Sequence, residues 1–400
     1  MTEWPVVALG ELTSQSREAV RVDPSQVYPM LGVRWYAQGA FHRETVTPKA
    51  GTIYRVRPGQ FIYNRLFAWK GSFGLVTEDL AGSFVSNEFP LFACDPGRLL
   101  PEYLIYVFGR PEVWSRIERV STGTTASRNR WNEPAFNAYE VALPSLQEQR
   151  RIIAVMAVVD TEIEALEREV EVASLLMERV LAEAMQDLSS SVTYGMVATT
   201  RSGSSWAADD ETKTPVDGSV KVVKITNTKS DGSLDLSDET YVLGLPDSTA
   251  TLDAGSLIII RTNGNRSRIG NVYRAAPAVY GCAVSAFQFL SRANDPADRD
   301  FLYWALREPS MQQRMSEAAS GSTGLGNLAV KWLNTTDVPW SDDEAVRADV
   351  VARLDSTQAT VERLAGELAA LRTVRADLLT ALLSQEITIE AAVDEFVKAA

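Results

Sequence analysis

Two stretches of the chain carry arginine and asparagine in a pattern suited to reading nucleic-acid edges. NRLFAWKGSFG (64–74) holds Asn64, Arg65, Trp69 and Lys70, and RTNGNRSRIGN (261–271) holds Arg261, Asn263, Asn265, Arg266 and Arg268. Arginine forks onto guanine O6/N7, asparagine onto adenine N6/N7, and both reach phosphates. A second stretch follows each of these. STGTTASRNRW (121–131) adds Arg128, Asn129, Arg130 and Trp131, and SGSTGLGNLAVKW (320–332) adds Asn327, Lys331 and Trp332. Small residues beside cations let a backbone come close to a phosphate. For any single residue here the alternative is an ordinary solvated loop.

Other chemistries find little support. His42 is the one histidine, so Ser-His and Cys-His nucleophile pairs and multi-histidine metal sites would all need that residue. An exposed loop histidine is the simpler expectation. Cys94 and Cys282 stand alone, which makes no disulfide framework and no zinc site, and suits a reducing cytoplasm. No GxxxxGK[ST] or HExxH occurs, and TGLGN (323–327) reads as a flexible loop rather than a βαβ phosphate turn. Two consecutive prolines occur nowhere, which excludes the Asn/Asp-Pro-Pro-aromatic element of amino-methyltransferases. The expectation is therefore recognition, with no catalytic residue, no metal and no cofactor in this chain. The longest apolar run, IIAVMAVV, is far short of the roughly 20 residues that span a bilayer. MTEWPVVALGEL lacks the basic start and apolar run of a signal peptide, so a cytoplasmic protein without a membrane partner is expected.

The elements that position these loops are legible as a repeat. The net charge of −13 is unevenly spread: +1 over 1–143, −6 over 144–187, −2 over 188–340 and −6 over 341–400. The two acidic segments have the same pattern. Met156, Val159, Ile163, Leu166, Val170, Ala173, Met177, Val180 and Ala184 recur at alternating three- and four-residue steps. So do Leu354, Thr357, Val361, Leu364, Leu368, Leu371, Arg375, Leu378 and Leu382, with Thr357 and Arg375 as imperfect members. Each set is a coiled-coil seam on a helix of about 60 Å, and pairing with each other is the economical way to bury both. Pro144 precedes Asp160 by the same interval at which Pro339 precedes Asp355. Upstream, EYLIYVFGRPEVWSRI (102–117) matches DFLYWALREPSMQQRM (300–315), and RPGQFIYNRLFAWKGSFGLV (57–76) matches DAGSLIIIRTNGNRSRIGNV (253–272), with Arg65 opposite Arg261. The organisation is globule (1–143), long helix (144–187), globule (188–340), long helix and tail (341–400). Short apolar strands and turns such as SDGS and TNGN make the globules mixed α and β.

This arrangement resembles the specificity subunits of type I restriction-modification systems. LPSLQEQRRI (143–152), leading into the first long helix, is similar to that family's Pro-Pro-x-x-Glu-Gln-x-x-Ile, and Trp4-Pro5 with Leu9-Gly10-Glu11-Leu12 to its first strand. Two departures stand out. The second helix is preceded by VPWSDDE (338–344), without Glu-Gln, and TYGMVATTRSG (193–203) stands where a second Trp-Pro is expected. The resemblance implies an α+β chain with two α/β target-recognition domains. Their two helices would pack as an antiparallel coiled coil, giving a pseudo-two-fold repeat. It implies a non-catalytic subunit, each globule reading half of a bipartite double-stranded DNA target. The helices would set the spacing and dock two methyltransferase subunits carrying S-adenosylmethionine, with restriction subunits joining. Gln147, Glu148, Gln149, Arg150 and Arg151 then suit partner docking or packing of the helix start. A two-headed coiled-coil adaptor for other proteins is the competing reading.

Overall fold

The computed structural model describes residues 4–122, 129–230, 232–321 and 324–387. Arg128 lies outside them. Two compact units divide the chain, one of residues 1–167 and 367–400, the other of residues 168–366. These do not follow the segments drawn from the sequence, because each unit combines one globule with part of both long helices.

In chain order the first globule runs β1 (Val6–Ala8), β2 (Thr13–Gln15), β3 (Glu18–Arg21), β4 (Tyr28–Val33), β5 (Ala40–Val46), β6 (Thr52–Arg55), β7 (Phe61–Tyr63), β8 (Phe73–Leu75), β9 (Phe84–Val85), β10 (Leu91–Cys94), α1 (Pro101–Phe108), α2 (Pro111–Val120), α3 (Glu133–Asn137) and β11 (Glu140–Ala142). The long helix α4 (Leu146–Gln186) follows. The second globule runs β12 (Ser190–Thr193), α5 (Tyr194–Val197), β13 (Ala198–Ser202), β14 (Glu211–Thr212), β15 (Ser219–Val223), β16 (Thr240–Leu243), β17 (Ser256–Ile260), β18 (Thr262–Asn263), β19 (Val272–Arg274), β20 (Ala283–Val284), β21 (Gln288–Ala293), α6 (Arg299–Arg307), α7 (Pro309–Ala318), β22 (Gly326–Asn327), α8 (Val330–Asn334) and β23 (Asp337–Trp340), and leads into α9 (Glu344–Leu383).

The two globules share one plan. A sheet ordered β2-β10-β7-β8 in the first has its counterpart in β13-β21-β17-β19 in the second. The first and last strands of each globule pair antiparallel directly before a long helix, Val6 facing Ala142 and Ser190 facing Trp340. Leu9 N–H donates to the Tyr139 carbonyl, and Tyr194 N–H to the Thr336 carbonyl, both at 2.9 Å. TYGMV is thus the counterpart of the first globule's Leu9-Gly10 turn, which supplies the equivalence the sequence hid. In both places the glycine lies against a helix-end asparagine. A Cβ on Gly10 would stand 3.1 Å from the Asn137 carbonyl oxygen, and one on Gly195 would stand 2.7 Å from that of Asn334. The prolines at the starts of α1, α2 and α7 take the first-turn position, where no N–H bond is lost.

The cores differ in chemistry. The first unit is filled by stacked rings, with Phe61, Tyr63, Phe73, Phe92, Phe108, Trp131 and Phe136 all buried and Phe92 only 4.0 Å from Phe136. In the second, Leu257, Ile259, Leu302, Leu306, Met311 and Met315 surround Phe289, Phe301 and Trp304. Long-helix residues belong to both cores. Ile152, Met156, Leu379 and Leu382 join the first, and Met177, Leu181, Ala184, Met185, Val350 and Leu354 the second.

Every seam residue named from the sequence on either helix is buried or half-buried. Arg375, out of place in an apolar stripe, is explained by its partner. Its guanidinium Nε and Nη2 bond the Asp160 carboxylate, the second contact at 3.3 Å. Arg372 bonds Glu167 at 2.7 Å. In the first unit, then, partners on α9 fall in number as those on α4 rise.

The starts of the two long helices solve one problem differently. Ser145 Oγ accepts the Glu148 N–H at 3.3 Å and so caps the helix. Gln149 is wholly buried. Its amide donates to the carbonyls of Arg98 (2.8 Å) and Pro144 (2.9 Å), and its oxygen accepts the Leu100 N–H at 2.8 Å, tying the helix to the residues before α1. In the second globule Asp343 accepts the Ala345 N–H at 2.9 Å, and Arg347, four residues on, takes the place of Gln149. It bonds the Asp298 carboxylate at 2.8 Å, just before α6, and the Ser341 carbonyl at 2.6 Å. The missing Glu-Gln is therefore replaced by an arginine, with three residues between strand and helix in both globules. Gln149 and Glu148 serve the helix start rather than a docking face, while Gln147, Arg150 and Arg151 are exposed.

Candidate nucleic-acid interface

In each globule the structure brings the two basic stretches together. Trp131 N–H donates to the Arg65 carbonyl at 3.0 Å, which places 129–131 beside the loop after β7. Leu328 N–H donates to the Arg261 carbonyl at 2.9 Å in the same way. There β18 pairs with β22, Thr262 facing Asn327, and the Thr262 hydroxyl bonds the Asn327 side-chain oxygen at 2.8 Å.

The side chains divide into those held by the fold and those left at the surface. Arg65 is mostly buried and paired with Glu133, which also takes Arg17 at 3.1 Å. Arg130 reaches Glu88 at 2.8 Å but stays half exposed. Asn129 is half-buried. Asn64 caps the Leu66 N–H at 3.0 Å. Trp69 is not a free reading group either. It packs on the first core, and its indole N–H donates to the Leu66 carbonyl at 3.0 Å. Lys70 holds its ammonium 4.0 Å from the centre of the Trp35 ring.

In the second globule Arg266 clamps the chain after α7, donating to the carbonyls of Ala319 (3.3 Å) and Gly321 (2.9 Å), and Arg268 grips the Thr228 carbonyl. Both are structural clamps first. Asn263 and Asn265 spend their oxygens on the backbone N–H groups of Asn265 (2.9 Å) and Ser267 (3.1 Å), which leaves their amide donors without a partner among the described residues. Among the described residues Arg261 meets no carboxylate. It makes long contacts to Ser202 Oγ (3.3 Å) and the Ala286 carbonyl (3.5 Å) and lies over the Phe289 ring, although it occupies the place Arg65 has in the first globule. Lys331 is exposed. Arg261, the Asn263 and Asn265 amides and Lys331 are the groups best placed to meet an outside acceptor.

One feature escaped the sequence. Between β4 and β5 the turn RWYAQG (34–39) exposes Trp35 and Tyr36, at 40% and 59% of their surface. Its central residues, Tyr36 and Ala37, both have positive φ, 57° and 58°. Glycine or asparagine normally marks such a turn, and neither stands there.

The described residues contain no group of three His, Cys, Asp or Glu able to hold a metal ion. His42 lies exposed on strand β5, not in a loop. Burial pushes the Cys94 thiol up to about 12 and raises that of buried Cys282, so neither is a thiolate near neutrality. Among the described residues no helix is long and apolar enough to cross a membrane.

Two carboxylates anchor the globules to the long helices. Tyr106 on α1 donates to Asp160 at 3.1 Å, and Trp304 on α6 donates to Asp355 at 2.9 Å, with Arg274 adding a bond of 2.7 Å. Burial, then the Asp160 charge, raises the Tyr106 phenol, which keeps it the donor.

Across 96% of this chain and 98% of the other, the structure matches a chain solved in work on the complex assembly and conformational transition of the type I R-M system, with a TM-score of 0.65 and 17% identity. It has the fold of a type I restriction-modification specificity subunit. The S subunit of the type I restriction-modification system of M. genitalium matches over 95% of this chain and 96% of its own, with a TM-score of 0.52 and 16% identity. The HsdS subunit from Thermoanaerobacter tengcongensis covers 97% of this chain and 98% of its own at 18% identity, with a TM-score of 0.47. No protein-family model and no curated protein matches the sequence.

Proposed function

We propose that this chain is the DNA sequence-specificity subunit of a type I restriction-modification enzyme. The observation that carries the reading is the duplicated build. Two globules of one strand order each present an arginine- and asparagine-bearing loop at the same place, and each is anchored by an aspartate on a long helix. Each globule reads one half of a bipartite duplex target. α4 and α9 pack as an antiparallel coiled coil and relate the two globules by a pseudo-two-fold repeat. They set the spacing of the half-sites and dock two methyltransferase subunits, with restriction subunits joining the same assembly. S-adenosylmethionine sits on the methyltransferase, and this chain supplies recognition rather than catalysis, in the cytoplasm. The near-neutral globules leave much of the phosphate grip to those partners, so the isolated chain binds DNA weakly.

Co-expression with its methyltransferase, followed by genome-wide mapping of methylated adenine, should return a bipartite motif with a fixed spacer. Exchange of residues 1–143 for another such domain should change one half alone. Methylation by a competent partner without any motif would overturn the reading and leave a protein-binding adaptor.

A further inference from the structure

The tip of the β4–β5 hairpin holds two exposed rings on a fixed support. Tyr36 N–H donates to the Lys70 carbonyl and Ala37 N–H to the Gly71 carbonyl, both at 2.8 Å, and Arg34 N–H to Gly39 at 2.9 Å. These bonds keep residues 36 and 37 in a backbone region that side-chain-bearing residues rarely adopt, a form of strain that collects at functional sites. The rings are braced from within. Trp35 lies 5.1 Å from Phe67, and Tyr36 lies 5.9 Å from Trp114. Water therefore meets two large aromatic surfaces that the fold holds out rather than buries.

Charge names the partner. Residues 34–43 and 64–72, which these bonds join, contain no carboxylate in a chain of net charge −13. Arg65 is paired with Glu133 and Arg43 with the adjoining Glu44, which leaves Arg34 and Lys70 as the cations beside the rings. The Lys70 ammonium sits beside the Trp35 ring. Apolar wedges flanked by cations suit the DNA duplex, where phosphates take the charge and the ring enters between bases.

We propose that Trp35 and Tyr36 form a wedge that enters the half-site read by the first globule and unstacks one base step. This rests on the reading of the chain as a DNA-recognition subunit. The second globule's corresponding hairpin, β15–β16, is linked by Lys224–Glu239, a stretch without an aromatic residue. Lysines there are paired, Lys224 with Glu211 and Lys229 with Asp235, both at 2.9 Å.

The test uses the full chain in complex with its methyltransferase on duplexes bearing the mapped motif. Thymine reactivity to permanganate should rise at one step of the first globule's half-site and nowhere in the other. Trp35→Ala and Tyr36→Ala should abolish that signal and weaken binding by about tenfold to a hundredfold, the range of one lost base stack. Tyr36→Phe should keep both. A mismatch at that step should tighten binding of the unsubstituted complex, because part of the unstacking cost is already met. It should not tighten binding of Trp35→Ala. Specific binding with no reactive step, and with Trp35→Ala and Tyr36→Ala at full affinity, would overturn the wedge while leaving the recognition function standing. Absence of any motif-dependent binding would instead overturn the recognition function itself.

Discussion

Tyr106 donates its phenolic hydroxyl to Asp160 at 3.1 Å, and the same carboxylate takes Arg375. One aspartate thus fixes α1 and a residue of α9 to α4. Asp355 does the corresponding work in the second unit with Trp304 and Arg274. Both aspartates are partly exposed, so solvent screens part of their worth. Asp160→Ala and Asp355→Ala should each cost about 1–2 kcal/mol, the scale of a hydrogen bond to a charged group less that screening. Denaturant unfolding measures the loss. A Tyr106→Phe/Asp160→Ala double-mutant cycle should show coupling, and strict additivity would mean that the contact contributes nothing.

The helix starts should be more sensitive. Gln149 satisfies three backbone groups from a buried position, so Gln149→Leu leaves all three unpaired and should cost about 2–4 kcal/mol. Arg347→Leu strips the partner from nearly buried Asp298 and should cost about 3 kcal/mol or more. Gln147→Ala, Arg150→Ala and Arg151→Ala, at exposed positions, should each stay within about 0.5 kcal/mol of the parent. Any defect they cause should appear in assembly with partner subunits, read by co-purification, and not in melting.

The difference between these two helix starts also marks what the sequence could and could not reveal. The repeat was legible because Asp160 and Asp355 are matched anchoring carboxylates that keep one interval from a proline, although Pro144 follows β11 and Pro339 lies within β23. The seams were legible because a helix imposes its period on whatever it buries. Arg347 was not legible as the heir of Gln149, since it stands eight residues after Pro339 where Gln149 stands five after Pro144, and an amide became a guanidinium. The basic stretches were legible as sequence, but their meeting and the occupation of Arg65 were not. Its carboxylate, Glu133, lies 68 residues away in sequence, and only the tertiary fold pairs them. Trp35 and Tyr36 escaped because the central positive-φ positions of their turn hold Tyr36 and Ala37 rather than glycine or asparagine.

Glycines offer a paired test of the close approaches. Gly195→Ala would place a Cβ against the Asn334 carbonyl and should destabilise by about 1–3 kcal/mol, the cost of forcing an atom into packed backbone. Gly366 lies within α9 with open space where a Cβ would go. Gly366→Ala should stabilise by up to about 1 kcal/mol through helix propensity alone. Thermal melting of the two variants should move in opposite directions. A destabilised Gly366→Ala would mean that something covers that face of α9.

Arg261 and Arg65 occupy one position in two globules and should behave differently. Arg65 is neutralised by Glu133, whereas Arg261 meets no carboxylate among the described residues. Arg261→Ala should therefore weaken or relax the second globule's half-site by about 1–3 kcal/mol, the discrimination of one bidentate base contact. Arg65→Ala should lower stability with little change in the first half-site's sequence preference. Asn263→Ala should fall with Arg261→Ala, because its amide donors have no partner among the described residues while its oxygen holds the turn. Duplex binding against single-base variants of each half-site, together with melting of each protein variant, separates the two behaviours. Loss of specificity from Arg65→Ala at unchanged stability would mean that the Glu133 pair opens on DNA, and that both arginines read bases.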